Sequence, residues 1–222
     1  MKSVPAQRPL FLLAALALAL FAAPAIAQTD FDASLQDLRE HWAVANYEKR
    51  GLPRVAALDT LAQNAVRLTA LHPDRVEVWI WSGMIQATLA SAGTGINSLN
   101  AATAARIDLE RALTLDPEAM EGAAYTTLGA LYYKMPGWPV GFGDPEKAEK
   151  LLRLALKISP DGIDSNYFYG DFLLEQGHRR KAREHLLRAQ RAQQAPPHPG
   201  DALAHAGRQR DIAKLLARID AQ

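Results

Sequence analysis

Cysteine is absent from all 222 residues. That excludes disulfide bonds, thiol catalysis, thiolate metal sites and a lipid-modified cysteine. Net charge is nearly absent as well: 25 Lys and Arg face 24 Asp and Glu, leaving +1. A balance of this kind exerts no global pull on nucleic acid or a membrane. No segment alternates apolar and polar residues over a strand's length, so no strands are expected. Beyond residue 27 no run is long and apolar enough to cross a bilayer. Catalytic signatures are missing too: there is no HExxH, GxSxG, SxxK or phosphate-binding glycine loop. Of the six histidines, His178 and His185 are seven apart and could share a helix face. With no carboxylate placed to complete a ligand set, they read as surface residues. No catalytic residue, metal ligand or cofactor is expected, and the chain reads as a non-enzyme.

What is present begins with a leader. Lys2 and Arg8 precede an uncharged apolar run over 10–23, and Ala25-Ile26-Ala27 has the small-x-small form of a cleavage site. Residues 1–27 therefore read as a secretory signal peptide, too short and wrongly flanked for a good membrane span. Cleavage after Ala27 removes both cations and takes the formal charge from +1 to −1. The expected location is the periplasm or the exterior, without stable membrane insertion.

The remaining chain carries a recurring stripe. Ala105, Leu109, Ala112 and Pro117 are followed by Ala148, Leu152, Ala155 and Pro160, and then by Ala182, Leu186 and Ala189. A looser version is Leu61, Ala65, Leu68 and Pro73. Residues four and three apart share one helix face, small alanines admit a neighbouring helix, and in all but the last set proline follows the helix end. A stripe at regular intervals marks a repeat protein. Helices are expected over 34–49, 54–71, 76–89, 99–115, 118–134, 145–158, 165–176, 179–193 and 203–219. Asp144 is the expected N-cap before Pro145, Asp164 caps the helix after it, and Gly177 stops that helix. Repeats then occupy 34–73, 74–117, 118–160 and 161–194. Residues 201–222 cap a single domain that spans 28–222.

Two departures interrupt the rhythm. Gly170 and Ala182 are 12 residues apart, whereas Gly129 and Ala148 are 19 apart and Gly83 and Ala105 are 22 apart. The first excess lies in the Gly- and Pro-rich loop 135–143, the second around a glycine-rich turn at 90–97. Trp138, Val140, Phe142 and Met135 make the first loop unusually apolar. It reads either as a plug that completes the core or as one lip of a binding groove.

Gly170, Leu173, Gly177, Ala182, Leu186 and Ala189 stand at the spacing of the tetratricopeptide repeat, and the chain from about 34 to 193 resembles that fold. The resemblance implies an all-α architecture: antiparallel helix pairs stacked as a right-handed superhelix, with a C-terminal capping helix. A narrower likeness rests on the Leu115-Asp116-Pro117 helix end, LGALYYK at 128–134, PGWPVGFGD at 136–144 and KAEKLLRLAL at 147–156. With these motifs the chain resembles the periplasmic T component of tripartite ATP-independent (TRAP) transporters. The likeness implies cooperation with a solute-binding subunit.

The first helix of each repeat lines the concave face of such a superhelix. The candidate ligand- or partner-contacting residues are therefore Trp79, Tyr125, Tyr132, Tyr167 and Asp171 on first helices, with Trp138 and Phe142 from the loop. The leading functional reading is a binding scaffold that docks a protein or peptide partner of the cell envelope in its groove. The alternative is an accessory component of a solute uptake system that binds a small organic ligand or a transporter subunit. The basic run Arg179, Arg180, Lys181, Arg183, Arg188 and Arg191 reads as the polar outer face of a terminal repeat. Its alternative is a patch for an acidic partner or an anionic lipid surface. Nucleic acid is not an expected partner.

Overall fold

A computed structural model describes residues 30–192 and 201–221. The leader expected at 1–27 lies outside them. The chain divides into two units, 1–37 and 38–222. In the first, residues 30–37 are helical, and the Ser34 hydroxyl donates to the Asp30 carbonyl at 2.8 Å.

The second unit is all-α among its described residues. The helix through 38–47 is α1. It is followed by α2 (Gly51–Leu71), α3 (Val76–Ala92), α4 (Gly95–Leu115), α5 (Ala119–Lys134), α6 (Pro145–Ile158), α7 (Ile163–Glu175), α8 (Arg179–Arg191) and α9 (Asp201–Asp220). Consecutive helices pack as antiparallel pairs, and the first helix of each pair also meets the first helix of the next. This is the tetratricopeptide architecture that the stripe implied.

The stripe works by close approach. Ala105, Leu109 and Ala112 of α4 are fully buried, as are Ala148, Leu152 and Ala155 of α6 and Ala182, Leu186 and Ala189 of α8. Each central leucine seats against a glycine of the partner helix. A Cβ on Gly83 would lie 2.4 Å from Leu109 Cγ, one on Gly129 2.6 Å from Leu152 Cγ, and one on Gly170 2.9 Å from Leu186 Cγ. Real Cβ atoms do not come so close, so the same glycine–leucine lock recurs in three pairs.

Several local expectations are corrected. The turn expected at 90–97 is almost entirely helical, because α3 runs to Ala92 and α4 starts at Gly95. Gly93 N–H donates to Leu89 O at 2.9 Å, and the Ser98 hydroxyl reaches back to Ala90 O at 2.6 Å, so the reversal needs little more than Gly93-Thr94. The excess residues thus lengthen two helices rather than build a loop. Helix α2 begins at Gly51, ahead of Pro53, which proline tolerates in a first turn. Asp144 caps α6 as expected, accepting from Lys147 N at 3.0 Å. Asp164 does not cap α7: Gly162 holds that position and Asp164 serves an ion pair described below. His185 is half-buried rather than exposed, with Nδ1 2.9 Å from Asn166 Oδ1. Because Asn166 Nδ2 donates to Pro160 O and Gly162 O, its Oδ1 is the accepting end and His185 Nδ1 carries the proton.

Helix α9 does more than cover the last repeat. Besides packing on α8, it reaches α1 at two points. Gly207 lies flat on Tyr47, where a Cβ would fall 2.4 Å from ring carbons, and Asp201 pairs with Arg39. Near these contacts Arg208 bonds Asp164 of α7 at 2.6 Å. The helix therefore ties the last repeat to the first helix.

Candidate functional site

Helix α9 adds one wall to the concave face, which then holds a half-open cavity of about 700 Å³. Its walls come mainly from the odd-numbered helices: Trp42 and Asn46 of α1, Met84 and Ala87 of α3, Ala130 and Leu131 of α5, Phe168 of α7, and Arg208 and Asp211 of α9. The start of α4 (Gly95, Ser98, Leu99) and the loop residues Met135, Pro136 and Val140 complete the rim.

Four of the five wall hydroxyls spend their protons on their own backbone or a neighbouring one, and Thr127 makes no hydrogen bond among the described residues. Thr88 donates to Met84 O at 2.7 Å, Ser91 to Thr88 O at 2.8 Å, Ser98 to Ala90 O and Thr126 to Gly122 O at 3.3 Å. Thr88 additionally accepts the Trp42 indole N–H at 2.9 Å. A hydroxyl whose proton returns to a carbonyl offers an occupant its methyl or methylene and a lone pair. The walls are thus apolar in effect, and charged donors are confined to Arg208 and Lys134.

Arg208 is built in with care. Its Nε donates to Asp164 Oδ1, its Nη1 lies 4.0 Å from Asp211 Oδ2, and the guanidinium sits 4.3 Å from the Tyr167 ring centroid and 4.8 Å from that of Phe168. Burial opposes its charge, but Asp164, with Tyr47 and Tyr167, holds the guanidinium above the ordinary arginine range. Because the ion pair uses Nε, the fork of Nη donors makes no hydrogen bond among the described residues. Bidentate recognition of an anionic group uses such a fork.

Lys134 stands at the opposite kind of site. It pairs with Asp171 at 2.8 Å and with Glu175, and lies 4.8 Å from the Tyr133 ring. Burial opposes its charge, and Asp171 overcomes that and raises its pKa. The Tyr133 hydroxyl donates to Asp171 at 2.9 Å; burial and the adjacent carboxylate push that phenol up strongly. Two carboxylates on one ammonium leave this corner net negative.

The sequence-derived candidates fall mostly behind the wall. Tyr167 backs Arg208, and Asp171 anchors Lys134. Tyr132 is buried, edge-on to Phe142 at 5.3 Å, with Lys147 over its ring at 4.2 Å. Phe142 also carries the Arg106 guanidinium at 4.8 Å. Trp79 packs on the core, its indole N–H donating to Pro73 O at 3.0 Å, and Tyr125 is half-buried on α5. Trp138 is 90% exposed, so the loop is not a plug at that residue, while Phe142 is its inward anchor. None of the seven contributes to the lining; Val140 and Pro136 represent the loop there. The residues that sequence reasoning missed are Arg208, Asp211, Asp164, Phe168 and Lys134. The available signal was an arginine on the apolar side of α9, four residues from Ile212.

No curated protein matches the chain. Among solved structures, a thermophilic TPR protein of Thermus thermophilus is similar, with a TM-score of 0.56 and 15% identity. The match covers 91% of this chain and 96% of that one, and it bears on the fold alone. The model of the TRAP transporter T-component family matches residues 39–221, which take in the paired helices, the 135–143 loop and α9. The chain belongs to the TRAP transporter T-component family.

Proposed function

We propose that the protein is an accessory subunit of a solute uptake system of the cell envelope, and that its cavity holds a small organic ligand. The observation that carries this reading is the cavity that α9 walls against the concave face. A volume near 700 Å³ sits inside the range of small-molecule sites, roughly 300–1,000 Å³. The wall chemistry favours an apolar body, and the Nη donors of Arg208, which make no hydrogen bond among the described residues, favour one hydrogen-bond-accepting group on it. A partner subunit docks at the rim, where Trp138 and Val140 stand exposed on the loop. That position suits the loop to the role of a lip. Export to the periplasm through the leader at 1–27 completes the proposal.

Anilinonaphthalene sulfonate, an apolar anionic dye, tests the cavity directly. One dye is expected per chain, with fluorescence enhancement. Ala130→Trp, which fills the cavity from α5, should abolish binding while leaving the helical circular dichroism unchanged. Binding that survives this substitution would refute occupancy of the cavity.

A further inference from the structure

The near-neutral total conceals a strong asymmetry. Residues 179–222 hold ten Lys and Arg against four Asp and Glu, a net +6, so the preceding 178 residues carry −5. Asymmetry of this size is a signal for a polyanionic partner.

Four of the ten cations are paired. Arg183 meets Asp220 at 3.4 Å, Arg188 meets Asp161 at 4.0 Å, Lys214 meets Asp211 at 3.1 Å, and Arg208 meets Asp164. The other six, Arg179, Arg180, Lys181, Arg191, Arg210 and Arg218, are exposed and make no ion pair among the described residues. Three of them crowd the first turn of α8, which contains no acidic residue and has no side-chain cap from His178. Cations there oppose the helix dipole, so the arrangement costs stability instead of adding it. On α9, Arg210, Lys214 and Arg218 recur every four residues on the side away from buried Ile212 and Leu216.

What accompanies these charges identifies the partner class. Protein interfaces usually combine arginine with aromatic anchors in well-packed pockets, and no large apolar side chain is exposed on α8 or α9 among the described residues. Single-stranded nucleic acid is gripped by stacking rings, and neither helix contains Phe, Tyr or Trp. An anionic lipid surface asks only for clustered cations, and each contributes.

We propose that the exposed cations of α8 and α9 form a face that docks the protein, peripherally and reversibly, on anionic phospholipid. This goes beyond the cavity reading and does not depend on it.

Vesicle co-sedimentation tests it. Vesicles of phosphatidylethanolamine and phosphatidylglycerol at about 7:3 should retain the full chain at low ionic strength, and vesicles of phosphatidylcholine should not. Each cation near an anionic surface is worth about fivefold in partition. The combined variant Arg179→Gln/Arg180→Gln/Lys181→Gln/Arg191→Gln should therefore lower binding by more than about tenfold at an unchanged melting temperature. A matched variant, Arg67→Gln/Arg111→Gln/Lys150→Gln/Lys157→Gln, removes four exposed cations elsewhere and should leave most of the binding. Equal losses from both variants would reduce the effect to net charge and overturn the proposal. So would equal binding to phosphatidylcholine. A duplex oligonucleotide completes the comparison: if the α8 variant loses DNA but keeps the vesicles, the surface belongs to nucleic acid and the proposal fails.

Discussion

Adding one methyl group to Gly129 puts the repeat packing to a sharp test, because two effects of opposite sign compete. In an exposed helix interior, Gly→Ala gains about 0.5–1 kcal/mol by reducing the entropy lost on folding. At Gly129 the new Cβ would stand 2.6 Å from Leu152 Cγ, 2.8 Å from its Cδ2 and 3.4 Å from Ala148 O. Leu152 is fully buried and cannot swing into solvent, so α5 and α6 must separate. Overpacking of this kind costs about 1–3 kcal/mol. The net expectation is a loss of about 1–2 kcal/mol, or a fall of roughly 2–8 °C in melting temperature for a chain of this size. The decisive measurement is a double-mutant cycle by thermal denaturation. In a Leu152→Ala background the clash disappears, and Gly129→Ala should turn from destabilising to neutral or stabilising. If the substitution stabilises the wild-type chain, or has the same effect in both backgrounds, the glycine–leucine lock is not what sets the helix spacing.

Other expectations follow from the same contacts. Trp138→Ala should move the melting temperature by under about 1 °C, because an exposed ring stabilises nothing, whereas Phe142→Ala should cost about 2 kcal/mol through lost packing on Tyr132 and Arg106. Equal effects of the two would contradict the division of the loop into an inward and an outward ring. Burial raises the pKa of Asp108 against the hydrogen bonds from Ser82 and Gln86. A carboxyl raised on folding contributes stability below its unfolded pKa and loses it as pH rises through the folded value. Asp108→Asn should thus stabilise the protein at pH 7 and have little effect near pH 4, read by melting temperature across that range; a pH-independent effect would refute the assignment. Gly207→Ala should lift α9 from Tyr47 and lower dye affinity in the cavity by more than about tenfold, while far-ultraviolet dichroism keeps most of its helical signal. Undiminished dye binding would show that α9 does not wall the site.

The paired helices were legible because they are encoded locally: Ala148, Leu152 and Ala155 announce a buried face through spacing alone. Asp144 was legible for the same reason, since a cap acts on residues three positions away. The turn at 90–97 was misread because its glycines looked like a loop, when the serines on either side close hydrogen bonds that extend both helices. The left-handed residues Met120, Glu121 and Gly122 at the start of α5 left no trace in the sequence pattern. The cavity was hardest to read. Its character depends on Arg208 meeting Asp164, 44 residues away, and on α9 reaching Tyr47, pairings that no periodicity records. The aromatic candidates stood on the right helices, but most of their rings were turned to pack the wall instead of forming its surface.

A stack of helix pairs open at both ends behaves as a spring: small changes in the angle between successive pairs add along the array and alter its pitch. Helix α9 removes that freedom by joining the last repeat to α1 through Gly207 on Tyr47 and Asp201 on Arg39. The internal space is then set by the reach of one helix rather than by the sum of several soft angles. A spring with its ends tied also cannot fray one repeat at a time. Loss of the strap frees every pair at once, so the cavity should vanish in a single step while each glycine–leucine lock remains closed.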